Sequence, residues 1–93
     1  MAQEQKEKLL RFYKGTDSEA VAEKLVNLAE MTKKTEKYRI SGFLDPYEQE
    51  IAEAVRANLG GFRIDFFGGY LGAERMRAMF IADDFKGEPT GFD

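Results

Sequence analysis

The 93-residue sequence has no cysteine, no histidine and no tryptophan, and only two prolines. The first absence excludes a disulfide-stapled secreted fold and any thiolate chemistry. The second removes the commonest metal ligand and the commonest general base, so no metal site, no cofactor and no catalytic residue is expected. No apolar run approaches the ~18 residues of a membrane span. The opening Met1-Ala2-Gln3-Glu4-Gln5-Lys6 is too polar for a secretory leader. The expected location is therefore cytoplasmic, away from any membrane.

What is present suits one small packed domain. Hydrophobic residues make up 43% of the chain, with eight Phe and four Tyr as the main core candidates. The net charge is −3, which weighs against a nucleic-acid binder. The charges are unevenly spread, however. Residues 1–39 hold nine Lys/Arg and seven Asp/Glu, whereas residues 40–93 hold five and ten. Exposed charges act over a Debye length of about 8–10 Å, so a basic patch can exist on an acidic chain.

Residues 3–13 read as a short helix ending in Leu9, Leu10, Phe12 and Tyr13, and Gly15 interrupts it. Thr16-Asp17-Ser18-Glu19 reads as a capping box, with the Thr16 hydroxyl on the Glu19 amide and the Glu19 carboxylate reaching back. Val21, Leu25, Leu28 and Thr32 then recur at helical spacing, which predicts a helix over residues 17–34. Tyr38-Arg39-Ile40-Ser41-Gly42-Phe43 reads as a short strand. Asp45-Pro46-Tyr47-Glu48 is a helix start: Asp45 caps, Pro46 suits the first position and Glu48 closes a box. Ile51, Ala52, Val55 and Leu59 form its apolar stripe, and Gly60-Gly61 ends it. Phe62-Arg63-Ile64-Asp65-Phe66 alternates as a half-buried strand does. Residues 74–82 read as the returning strand, although Ala73 to Phe80 also suits a helix.

The expected class is α+β: two N-terminal helices, then a partial plait-like β-α-β-β unit of the RNA-recognition-motif or ferredoxin type, with an antiparallel sheet. Residues 1–34 form the helical segment, 35–82 the partial plait and 83–93 an acidic linker or tail. Ile51, Val55, Ile64 and Phe66 should be buried together. The second α-β pair of a full plait has no counterpart, so either the plait is incomplete or the sequence is part of a longer one. An exposed strand edge would then permit a homodimer.

The richest stretch runs from Gly68 to Arg77. Gly68, Gly69 and Gly72 let backbone amides face an anion without a Cβ in the way, and at least one of them should take a positive φ. Arg75 and Arg77 are two apart, hence on one face of a strand, where guanidinium groups suit phosphates or bases. The plainer reading is a hairpin turn with solvated arginines.

Phe43-Leu44-Asp45-Pro46, the following Glu48-Gln49, and the Gly68-Gly69-Tyr70-x-Gly72-Ala73-Glu74-Arg75 run resemble the N-terminal part of the YlmH family of bacterial ribosome-associated RNA-binding proteins. The likeness spans residues 35–82 and, more loosely, the helices before them. It implies a plait-like RNA-binding domain, which in that family precedes a second RNA-binding module of the S-four type that lies outside this sequence. It also implies a role in translation and stalled-ribosome quality control, and some members carry a cell-division label. Gly68, Gly69, Tyr70, Gly72, Arg75 and Arg77 carry over residue by residue. The family usually has acidic residues where Phe67 and Leu71 stand and Lys where Met76 stands. One phosphate contact is thereby lost, and the two apolar replacements either form an exposed patch with Tyr70 or pack against a partner.

Three further sets complete the candidates. Phe67 points opposite to Phe62, Ile64 and Phe66 in an alternating strand and could stack on a base; alternatively all three Phe belong to the core. Lys33, Lys34, Lys37 and Arg39 form a second basic cluster, which either contacts RNA or complements the helix dipole. Asp45, Glu48, Glu50 and Glu53 crowd one helix, but capping accounts for the first two and no His or Cys backs a catalytic role. The expected function is a non-catalytic accessory domain contacting ribosomal RNA or tRNA. Arg75, Arg77, Arg63 and the Lys33-to-Arg39 cluster would hold phosphates, and Tyr70 or Phe67 would stack. The alternative is a protein-interaction module whose acidic helix and tail dock a basic ribosomal or cell-division partner.

Overall fold

The computed structural model describes residues 2–35, 39–67 and 75–86. Their elements are α1 (Ala2–Tyr13), α2 (Glu19–Thr35), β1 (Arg39–Leu44), α3 (Pro46–Leu59), β2 (Phe62–Phe67) and β3 (Met76–Ala82). This is the α+β order that the hydrophobic periods lead one to expect.

The start of α3 follows its local code. The Asp45 carboxylate accepts from the Glu48 amide at 2.8 Å, and the Glu48 carboxylate accepts from the Asp45 amide at 2.9 Å. Pro46 stands in the first turn. At the other end Gly60 and Gly61 take φ of 66° and 85°, and the Gly60 amide donates to the Arg56 carbonyl. Asp45→Ala is expected to cost about 0.5–2 kcal/mol, the usual value of a lost cap. A urea unfolding midpoint equal to that of the parent would show that the box contributes nothing.

The start of α2 differs from expectation. The Thr16 hydroxyl accepts from the Ser18 amide at 3.2 Å and donates to the Tyr13 carbonyl at 2.6 Å. The Glu19 carboxylate reaches back to the Gly15 amide at 3.1 Å, and the Glu19 amide bonds the Thr16 carbonyl rather than its hydroxyl. Thr16 therefore ties down the turn between α1 and α2, because its hydroxyl finds the end of α1 nearer than the beginning of α2.

The strand order is β1-β3-β2, and β3 is antiparallel to both neighbours. β1 and β2 therefore run parallel with β3 between them, the split β-α-β arrangement of a plait. β3 resolves its own ambiguity by position. Its residues from Ala78 to Ala82 are all buried, as suits a strand with a partner on each side.

α2 and α3 lie together against the sheet, and α1 packs on those two helices rather than on the strands. α2 therefore covers the sheet beside α3, where a full plait puts its second helix. An apolar sheet face has to be covered, and here a helix from before the first strand does it. Leu9, Leu25, Val26, Ile51, Val55 and Phe80 belong to one core, so residues 1–34 and the strands share it. Ile51 and Val55 are fully enclosed, while Ile64 and Phe66, on an outer strand, are half-buried against the same core.

Candidate nucleic-acid interface

The candidate site begins with an irregularity in β1. Ile40 pairs with Met79 and Gly42 with Ala78, so two steps along β1 match one step along β3. Gly42 has φ of 95°, and this left-handed geometry makes the extra residue cheap. The bulge inverts the side-chain phase of everything after it. Leu44 turns into the core, where it is buried, and Phe43 turns to the face opposite the helices, where it is 41% exposed. An unbulged strand in the register of Ile40 would do the reverse.

Phe43 pairs in register with Arg77. The Arg77 guanidinium carbon sits 5.4 Å from the Phe43 ring centroid, within cation–π range. Arg75, just before β3, donates from Nη2 to the Phe43 carbonyl at 3.4 Å. Both arginines therefore converge on one aromatic residue, with Arg75 exposed and Arg77 half-buried. The backbone of Phe67 pairs with Arg77 from the other side, so the ends of β1 and β2 flank the same point of β3.

The other candidates are distributed differently. Arg63 pairs with Ile81 and lies 3.5 Å from the Asp65 carboxylate, which offsets its charge. Asp65 itself stands level with Met79, between Arg63 and Arg77. Lys33 packs its aliphatic stem over Gly61, since a Cβ added there would meet the Lys33 Cε at 3.0 Å. Gly61 adjoins Phe62, which pairs with Ala82. Ala82 is five residues along β3 from Arg77, roughly 17 Å at strand spacing. The exposed Lys34 closes α2 beside Lys33, and Arg39 opens β1 opposite Phe80. Lys33 and the arginine pair therefore lie towards opposite ends of the sheet. Lys37, Gly68, Gly69, Tyr70 and Gly72 lie outside the described residues, and with them the expected positive φ of a turn glycine.

Met79 and Ile81 project on the same face as Arg77 and are fully buried. That face is accessible at its Phe43 end and, on the outer strand, at Arg63 and Asp65. Sequence reasoning did not single out Phe43. The available signal was Gly42, because an isolated glycine inside a strand pattern marks a bulge, and a bulge shifts the alternation.

Among the described residues no group of three or more His, Asp or Glu is placed to hold a metal ion, and no helix is long and apolar enough to cross a membrane. Burial pushes the Tyr13 hydroxyl above its ordinary range, with the Glu50 carboxylate and Tyr47 adding to the effect. Tyr13 is accordingly neutral at physiological pH. Comparison of the chain with family models, curated proteins and solved structures gave no match.

Proposed function

We propose that this domain is a non-catalytic RNA-contacting module, acting in the cytoplasm on ribosomal RNA or tRNA, as the resemblance to the YlmH family implies. One observation carries the reading: an exposed Phe43 ring with Arg77 over it and Arg75 on its carbonyl, on the sheet face away from the helices. An aromatic face and guanidinium groups within a few ångströms give a base something to stack on and its phosphate something to pair with. Arg77 also competes with the base for the ring, so the arrangement favours a nucleotide that slides beside the guanidinium. Arg63 contributes less, because Asp65 offsets its charge. The Lys33 end would touch only an RNA long enough to span the sheet. Homodimerisation, expected from the unfinished plait, would use one of the outer strands β1 or β2.

The test is fluorescence anisotropy of labelled single-stranded and structured ribosomal RNA fragments at about 50 mM salt, where phosphate contacts are strong. Phe43→Ala removes one stacking contact, worth about 1–3 kcal/mol per base, and should weaken binding accordingly. Arg75→Ala with Arg77→Ala should also lower the slope of log affinity against log salt by about one unit per lost phosphate contact. Circular dichroism checks that the variants are folded. Folded variants with unchanged affinity and unchanged slope would remove RNA from this face.

A further inference from the structure

The helical layer carries a groove that the RNA reading does not use. It runs between α1 and α3 and has a volume of about 510 Å³. Leu9, Tyr13 and Ala54 line it with apolar surface, Asn58 closes one part, and Lys8 and Arg11 stand on its rim. Phe12 forms a wall: its ring meets Tyr13 edge-on at 5.1 Å and is 75% exposed. The rim charges stand out against the rest of the helix. Lys6 is paired with Glu30 at 3.0 Å, whereas Lys8 and Arg11 have no ion pair among the described residues.

We propose that this groove docks an amphipathic helix of a partner protein, one that carries carboxylates beside its apolar anchors. A cleft between two helices accepts a third as helix-in-groove recognition does, with anchors at i, i+3 or i+4, and i+7. An exposed aromatic residue beside an arginine is the composition of an interface hot spot. The unmatched Lys8 and Arg11 select the sign of the flanking charge. This is the opposite polarity to the acidic docking surface that the charge distribution along the chain suggests. A nucleic acid fits the groove less well, since Tyr13 meets Phe12 edge-on and the rest of the lining, Leu9 and Ala54, is aliphatic. α1 packs on the helices and not on the strands, so an occupant here leaves the Phe43 end of the sheet open. The domain would then join a protein on one side to RNA on the other.

The probe is a synthetic helical peptide of about 16 residues, roughly 24 Å long, with leucines at that spacing, one tryptophan among them and glutamates on both flanks. The chain has no tryptophan, so the emission reports the peptide alone. A saturable blue shift is expected. Changing the glutamates to lysines should weaken binding about tenfold or more. Phe12→Ser in the chain should weaken it by a similar factor. Arg11→Glu, which leaves Lys8 facing a carboxylate, should abolish the preference between the two peptides, and Phe43→Ala should change nothing. Phe12 and Arg11 are exposed, so both variants should keep the parent circular dichroism. Equal affinity for the two peptides, or binding indifferent to Phe12, would overturn the proposal. So would sedimentation showing a dimer of the chain that Phe12→Ser dissociates, or photo-crosslinking of RNA to Phe12.

Discussion

Phe80→Ala is expected to remove much of this domain's stability. Phe80 lies on the central strand with no exposed surface, and its ring stacks on Phe62 with centroids 5.3 Å apart. It pairs in register with Ile64 on one side and Arg39 on the other, so it joins both halves of the sheet to the helices above. Truncating a buried Phe to Ala typically costs about 3–5 kcal/mol, partly lost transfer energy and partly the cavity left behind. A domain of this size has a modest core, with total stability of roughly 5–10 kcal/mol, so the loss takes much of it. Thermal unfolding followed by circular dichroism measures the effect. A midpoint lowered by only a degree or two would mean that the neighbours close over the space, and that Phe80 does not anchor the sheet.

Gly42→Val is expected to be the most damaging change near the candidate interface. Space does not object, because nothing lies within 4 Å of an added Cβ. The backbone does: φ of 95° is a conformation that a β-branched residue adopts only at a cost of about 1–3 kcal/mol. The strand has one way out, which is to lose the bulge. That would turn Phe43 inward and Leu44 outward, exchanging a buried leucine for an exposed one and removing the ring from beneath Arg77. Stability and RNA affinity should therefore fall together, whereas Phe43→Ala should lower affinity with little loss of stability. Chemical denaturation and anisotropy on the two variants separate the cases. A Gly42→Val protein with parental stability would show that the bulge does not depend on the glycine.

The parts of the candidate site were unequally legible in the sequence. Arg75 and Arg77 could be paired by counting, because two residues apart in a strand means the same face. Phe43 could not be paired with them by counting, since one extra residue at Ser41-Gly42 reverses the parity. Lys33, Lys34 and Arg39 read in the sequence as a second basic cluster that would serve the same RNA as Arg75 and Arg77. The antiparallel sheet separates them instead: β1 begins at the Ala82 end of β3 and finishes at the Met76 end, beside the arginines.

The sequence by itself determined what rests on interactions within a few residues. Asp45-Pro46-Tyr47-Glu48 sets the start of α3, Gly60-Gly61 its end, and the alternation from Phe62 to Phe66 the buried side of β2. Such signals need no knowledge of the rest of the chain, because cap, turn and pleat are closed by neighbours in sequence. The tertiary structure decided the rest. Residues 76–80 suit helix as well as strand, and they became part of a strand because β1 and β2 supply hydrogen bonds on both sides. α2 became the cover of the sheet because an apolar face lay open beside α3. The meeting of Arg75, Arg77 and Phe43, and the groove between α1 and α3, each join residues more than 30 positions apart. No local preference encodes such a meeting; it follows from burying one common core.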